Sequence, residues 1–186
     1  MQDLGLSDYT PRHENRLKTL FWPAIENEQD IDTVTRQGFW LCILLSGVTA
    51  LMGFAVGFSA VVLEAIFFFL AGTGVRLKSI AAAAGALVVY TFVTFLLLRV
   101  GVENVGVVRV IVTALLLANL RATWISARLR LAATEPPPVP LEGSWSERLS
   151  DRMPMRVWPW GRWVFYLVGV LMLLDIGAGL LRLARP

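Results

Sequence analysis

The chain has 186 residues, 56% hydrophobic and 17% charged, with a mean hydropathy of +0.62. Water-soluble domains carry charge on about a quarter of their residues, so a soluble globular fold is excluded and no large extramembrane domain fits. The net charge of +3 would suit nucleic acid, but the basic residues flank apolar segments instead of forming a patch, which excludes that partner and reads as topology-setting charge.

Residues 1–37 are polar, with seven acids against four bases. Leu17, Leu20, Phe21 and Trp22 lie beside Arg16 and Lys18 and are stopped by Pro23. This pattern predicts a helical turn at a membrane surface, a loose tail being the alternative. Asp30 or Asp32 is placed to cap the helix that follows. Met1 to Trp22 holds no apolar core of signal-peptide length, so the first span is expected to act as an uncleaved anchor.

From Gly38 to Val75 the chain is apolar, with Glu64 its single ionisable group. As one helix these 38 residues would be ~57 Å long against a hydrocarbon core of ~30 Å. The run therefore divides into two spans, about 38–57 and 58–75. Gly53 and Gly57 make a G-x-x-x-G pair suited to close helix contact. Arg76 and Lys78 end the second span.

Span three covers about 79–98, opens with the small residues Ala81 to Ala84, and ends at Arg99. Span four begins near Asn104, carries Arg109, and stays apolar to Leu120. Helix formers continue to Leu131, so the helix is expected to extend past the membrane. Ala118, Ala122 and Ser126 form a small-residue stripe at i, i+4 and i+8 for helix packing. Pro136, Pro137, Pro138 and Pro140 mark a linker, because proline cannot sustain a helix.

Ser144 and Glu147 have capping-box spacing, and Trp145, Leu149 and Met153 follow at helical spacing. They predict a short amphipathic interfacial helix, broken by Pro154 and Pro159. Trp158, Trp160 and Trp163 read as an aromatic belt, and the fifth span runs from about Trp163 to Leu181. Arg121, Arg128, Arg130, Arg148, Arg152 and Arg156 join these tryptophans as the expected contacts with anionic lipid headgroups.

The expected fold is an all-α integral membrane protein, a five-transmembrane-helix bundle with short interfacial helices. Its parts are an amino-terminal segment (1–37), a four-helix membrane portion (38–132), a Pro-rich linker with an interfacial helix (133–160), and a fifth helix with a short tail (161–186). With the amino terminus in the cytoplasm, five spans leave inside Arg12, Arg16, Lys18, Arg36, Arg76, Lys78, Arg121, Arg128, Arg130, Arg148, Arg152, Arg156 and Arg162. Only Arg99, Arg182 and Arg185 lie outside. Treating the second span as re-entrant spoils this asymmetry, so the positive-inside rule selects five crossings with the carboxyl terminus outside.

Glu64, Arg109 and Asp175 fall within spans, where each charge costs roughly 2.5–3.5 kcal/mol at a helix centre. The topology brings all three to a similar depth, on the order of 8–10 Å below the outer boundary. An interhelical ionic cluster is expected, with Arg109 bridging Glu64 and Asp175 while Tyr90 and Thr94 complete the hydrogen bonding.

Cys42 is the sole cysteine and is read as a packing residue; His13 is the sole histidine and lies in the polar segment. Neither metal nor cofactor is expected. Hydrolase, zincin, phosphate-loop and dinucleotide motifs are absent from the sequence, which argues against an enzyme. The arginine-rich composition, beside abundant Ala, Val, Leu and Gly, fits a bacterial cytoplasmic membrane. Two functions follow: an accessory, scaffold or assembly subunit bound to other membrane subunits or to itself, or a small ion, proton or solute transporter lined by the intramembrane charges.

Overall fold

The computed structural model describes residue 25 and residues 28–56, 59–99, 106–132 and 145–183. Side chains are described for these except at 55–56, 59–60, 130–132, 145–148, 175–176 and 179–183. The described residues form five helices: α1 (Glu28–Val56), α2 (Ser59–Arg76), α3 (Ile80–Arg99), α4 (Gly106–Ala132) and α5 (Trp145–Leu183). Four stretches are long and apolar enough to cross a membrane: Glu28–Phe54, Ile80–Arg99, Gly106–Leu129 and Leu149–Leu174. The expected surface turn around Leu17 to Trp22, the proline linker, Ser144 and Gly57 lie outside the described residues.

Helix α1 starts ten residues before the apolar run at Gly38. Glu28 and Asp30 in its first turn complement the positive end of the helix dipole. Asp30 and Asp32 are thus helical residues, and the capping role expected of them is not what the fold assigns. Only two residues separate α1 from α2, which makes the pair a tight antiparallel hairpin with the largest interface among the described helices. Ser46 Oγ crosses that interface and donates to the Ala65 carbonyl at 2.7 Å.

The α2–α3 connection is set by its backbone bonds. Lys78 adopts φ of 60°, the left-handed region that ends many helices. Lys78 N–H donates to Val75 O and Ser79 N–H to Gly74 O, both at 2.9 Å, the paired bonds of a Schellman motif. Ser79 then starts α3, its Oγ accepting from the Ala82 N–H at 3.4 Å. So sharp a reversal brings α2 and α3 together at Gly74, where a Cβ would stand 2.4 Å from that of Ala82 and 2.5 Å from the Trp158 ring.

Helices α1 to α4 close a ring in chain order, and α5 packs outside it, mainly on α2. The buried centre includes Cys42, Phe67, Phe68, Ala86, Val89, Leu116 and Phe165. Outward faces carry large apolar side chains such as Leu51, Phe54, Val107 and Leu174. So much contiguous apolar surface suits a lipid solvent and not water.

Helix α5 departs from expectation. The interfacial helix and the fifth span fuse into one helix of 39 residues that includes both Pro154 and Pro159. Each proline loses an i→i−4 bond and costs about 3 kcal/mol in an isolated helix. Here tertiary packing holds the helix through both. Pro154 is fully buried, Trp158 packs on Gly74, and a Cβ on Gly161 would come within 2.7 Å of Leu70.

Candidate functional site

Because α1 and α5 begin where α2 ends, three helices deliver charge to one end of the bundle. Asp32 comes from the second turn of α1, Arg76 closes α2, and Asp151 lies in the first turns of α5. Arg76 Nε and Nη2 donate to Asp151 Oδ1 at 3.1 and 2.6 Å. Its Nη1 donates to Asp32 Oδ1 at 2.5 Å and to Thr35 Oγ1 at 3.3 Å, and Nη2 reaches Asp32 Oδ2 at 3.2 Å. Arg36 also holds Asp32 Oδ2 at 3.2 Å, one helical turn on.

The Arg76 side chain is 8% exposed, so its charge sits out of solvent and all three of its nitrogens are engaged. Such a centre ties helices together. Chain order alone does not reveal it. Asp32 reads as a cap and Arg76 as a topology charge, and nothing in the chain order singles out Asp151. A signal was present, since these are ionisable residues beside the ends of apolar stretches.

The same end holds a belt of buried polar side chains: Thr35, Thr73, Asn119, Thr123, Ser126 and Ser150. Several satisfy themselves within their own helix, as Thr35 does on Ile31 O at 2.9 Å and Thr73 on Leu70 O at 2.7 Å. Asn119 Nδ2 likewise donates to Leu115 O at 2.9 Å. Its Oδ1 has no conventional donor and faces Gly38, where a Cβ would stand 2.0 Å away. A weak Cα–H···O contact from glycine fits that approach.

At the opposite end, Arg109 Nη1 donates to Thr94 Oγ1 at 2.9 Å, and Thr94 Oγ1 donates to Tyr90 O at 2.8 Å. The guanidinium carbon lies 5.9 Å from the Tyr90 ring centre, within cation–π range. Arg109, Tyr90 and Thr94 are therefore brought together. Glu64 lies within electrostatic range of Arg109 but makes no ion pair with it among the described residues. The direct Glu64–Arg109 bridge expected from the sequence is not formed, because the guanidinium is turned to Thr94 and Tyr90. The Asp175 side chain lies outside the described residues. Along α2, Glu64 and Arg76 stand twelve positions apart, or ~18 Å.

The expected packing residues divide. Ala118, Ala122 and Ser126 are buried by the chain itself, and Gly53 lets Val61 approach within the α1–α2 hairpin. Glycines read without emphasis in sequence, Gly38 and Gly74, mark the closest approaches.

Among the expected headgroup contacts, Arg128, Arg152, Arg156, Trp160 and Trp163 are exposed, Arg121 is half-buried, and the Arg130 and Arg148 side chains lie outside the described set. Arg128 stacks over Trp124 at 5.6 Å. Trp158 is turned inward instead, tilted on Phe165 with ring centres 5.6 Å apart. Among the described residues no cluster of three or more His, Cys, Asp or Glu is arranged to hold a metal ion. The chain matches no protein-family model, no curated protein and no solved structure.

Proposed function

We propose that the chain is a five-helix integral membrane protein of a bacterial cytoplasmic membrane that serves as an accessory, scaffold or assembly subunit of a membrane complex. One observation carries this reading: the charged clusters sit at opposite ends and tie helices together, with a buried apolar layer between them. Arg76 is saturated by Asp32 and Asp151, Arg109 bonds Thr94, and Phe67, Phe68, Val89 and Leu116 fill the middle. An ion path needs polar partners along its whole length, since each uncompensated polar group in hydrocarbon costs several kcal/mol.

Five crossings are supported by the α1–α2 hairpin. Gly53 meets Val61 at one end of it and Asp32 meets Arg76 at the other, so α2 covers the same thickness as α1. Its 18 residues measure ~27 Å, close to a ~30 Å hydrocarbon core. The excess of basic residues at the Arg76 end supports a cytoplasmic position for that end and for the amino terminus. Exposed Arg128, Arg152 and Arg156 there would hold anionic headgroups. Partner subunits, or a second copy, would dock on outward apolar faces, because the Ala118–Ala122–Ser126 stripe is already covered.

A second reading, an ion or proton pathway, has its own support in Glu64, a carboxyl in an apolar helix that makes no hydrogen bond or ion pair among the described residues. Copurification from mild detergent, with flux measured in liposomes, separates the two. The accessory role requires a stoichiometric partner and no flux. Flux through the purified chain that Glu64→Gln abolishes would replace it with transport.

A further inference from the structure

A groove of about 190 Å³ opens on the outer surface between α3 and α5. Its width comes from Ala81, Gly85 and Gly169, and its floor is Phe67 and Phe165, stacked with ring centres 4.8 Å apart. Tyr166 stands at the rim, 46% exposed. On α5 the groove runs from Phe165 to Leu173, ~12 Å along the helix. A slot this apolar is filled by hydrocarbon more favourably than by water.

Arg162 does not line the groove but stands one turn beyond its first lining residues on α5. It lies three residues before Phe165 and four before Tyr166, so it occupies the same helix face one turn nearer the Arg76 end. Its side chain is exposed and its guanidinium lies 5.3 Å from the Trp163 ring centre. An arginine held on an interfacial tryptophan can reach along the helix to a headgroup. We propose that the groove is a binding site for one anionic phospholipid, with an acyl chain against Phe67 and Phe165 and its phosphate on Arg162. The charge beside the groove favours this occupant, since a packed helix from a second copy would leave Arg162 facing apolar surface. This rests on the membrane placement above, and not on the accessory role.

The test is native mass spectrometry of the full chain in mild detergent, with dioleoyl phosphatidylglycerol and dioleoyl phosphatidylcholine added in equal amounts. One retained phosphatidylglycerol is expected. Arg162→Gln should reduce the preference for it about fivefold, the attraction of one arginine near a headgroup. Val88→Trp, at a half-exposed wall position, should fill the groove and remove both lipids. Ala81→Phe on the same helix serves as a second filler, with helicity checked by circular dichroism. Arg99→Gln, an exposed arginine at the far end of α3 from Ala81, should leave the preference unchanged.

Four results overturn the site: parental preference in Arg162→Gln, parental retention in both folded fillers, equal loss in Arg99→Gln, or a lipid-free dimer that Val88→Trp splits. Retention is read on the isolated chain, so a missing partner subunit would sink the accessory role and leave the site standing.

Discussion

Arg76 and Asp151 stand 75 positions apart in the chain, yet Arg76 Nη2 donates to Asp151 Oδ1 at 2.6 Å. That contact fixes α5 to α2 at the same point where Asp32 fixes α1. One guanidinium on α2 therefore bonds side chains from both α1 and α5.

Removing that guanidinium leaves two carboxylates facing each other. Breaking a buried pair costs about 3–5 kcal/mol. Asp32 and Asp151 keep 38% and 28% of their side-chain exposure, so water relieves part of it. We expect Arg76→Leu to cost about 2–3 kcal/mol, seen as a lower melting temperature in detergent. Adding Asp151→Asn to Arg76→Leu should recover part of the loss. An unchanged melting temperature for Arg76→Leu would remove the cluster as a tie.

Gly38 and Asn119 offer a test of helix approach. A Cβ on Gly38 would overlap Asn119 Oδ1, and overpacking of this kind typically costs about 1–3 kcal/mol. Gly38→Ala should destabilise the bundle, and Asn119→Ala in the same chain should relieve it, giving a non-additive cycle. Gly47, with nothing within 4 Å of its Cβ position, is the contrast. Gly47→Ala should be neutral or gain about 0.5–1 kcal/mol. Additive losses at Gly38 and Asn119 would mean that the two do not touch.

Lys78 holds a backbone conformation that costs an L side chain roughly 1–2 kcal/mol. Lys78→Gly should raise the melting temperature and Lys78→Val should lower it. Lys78→Arg, which keeps the charge, should match the parent. A fall with glycine would show that the lysine charge outweighs its backbone strain.

Crossing by α2 has a direct readout. Alkaline phosphatase, active only outside the cytoplasm, should be active when fused after Gly57 and inactive when fused after Lys78. Activity at both positions would make α2 re-entrant and the bundle four-spanning.

Much of the helical plan was legible because insertion depends on local sums. An apolar run too long for one crossing had to fold back, and the break falls between Val56 and Ser59. The extension of α4 beyond Leu120 followed from helix formers in the same way. The continuous α5 did not, since proline content reports a local cost and says nothing of the packing that offsets it.

The sequence by itself determined a helical, apolar chain with its bases gathered between the apolar stretches, properties that depend on composition along short stretches. Only the tertiary structure decided that Asp32, Arg76 and Asp151 meet, that Arg109 turns to Thr94 and Tyr90 instead of pairing with Glu64, and that Gly38 and Gly74 are the points of closest approach. Those outcomes depend on the rotation and relative height of neighbouring helices. A shift of one residue turns a helical side chain by ~100°, so partners are set by packing across helices and not by spacing within one.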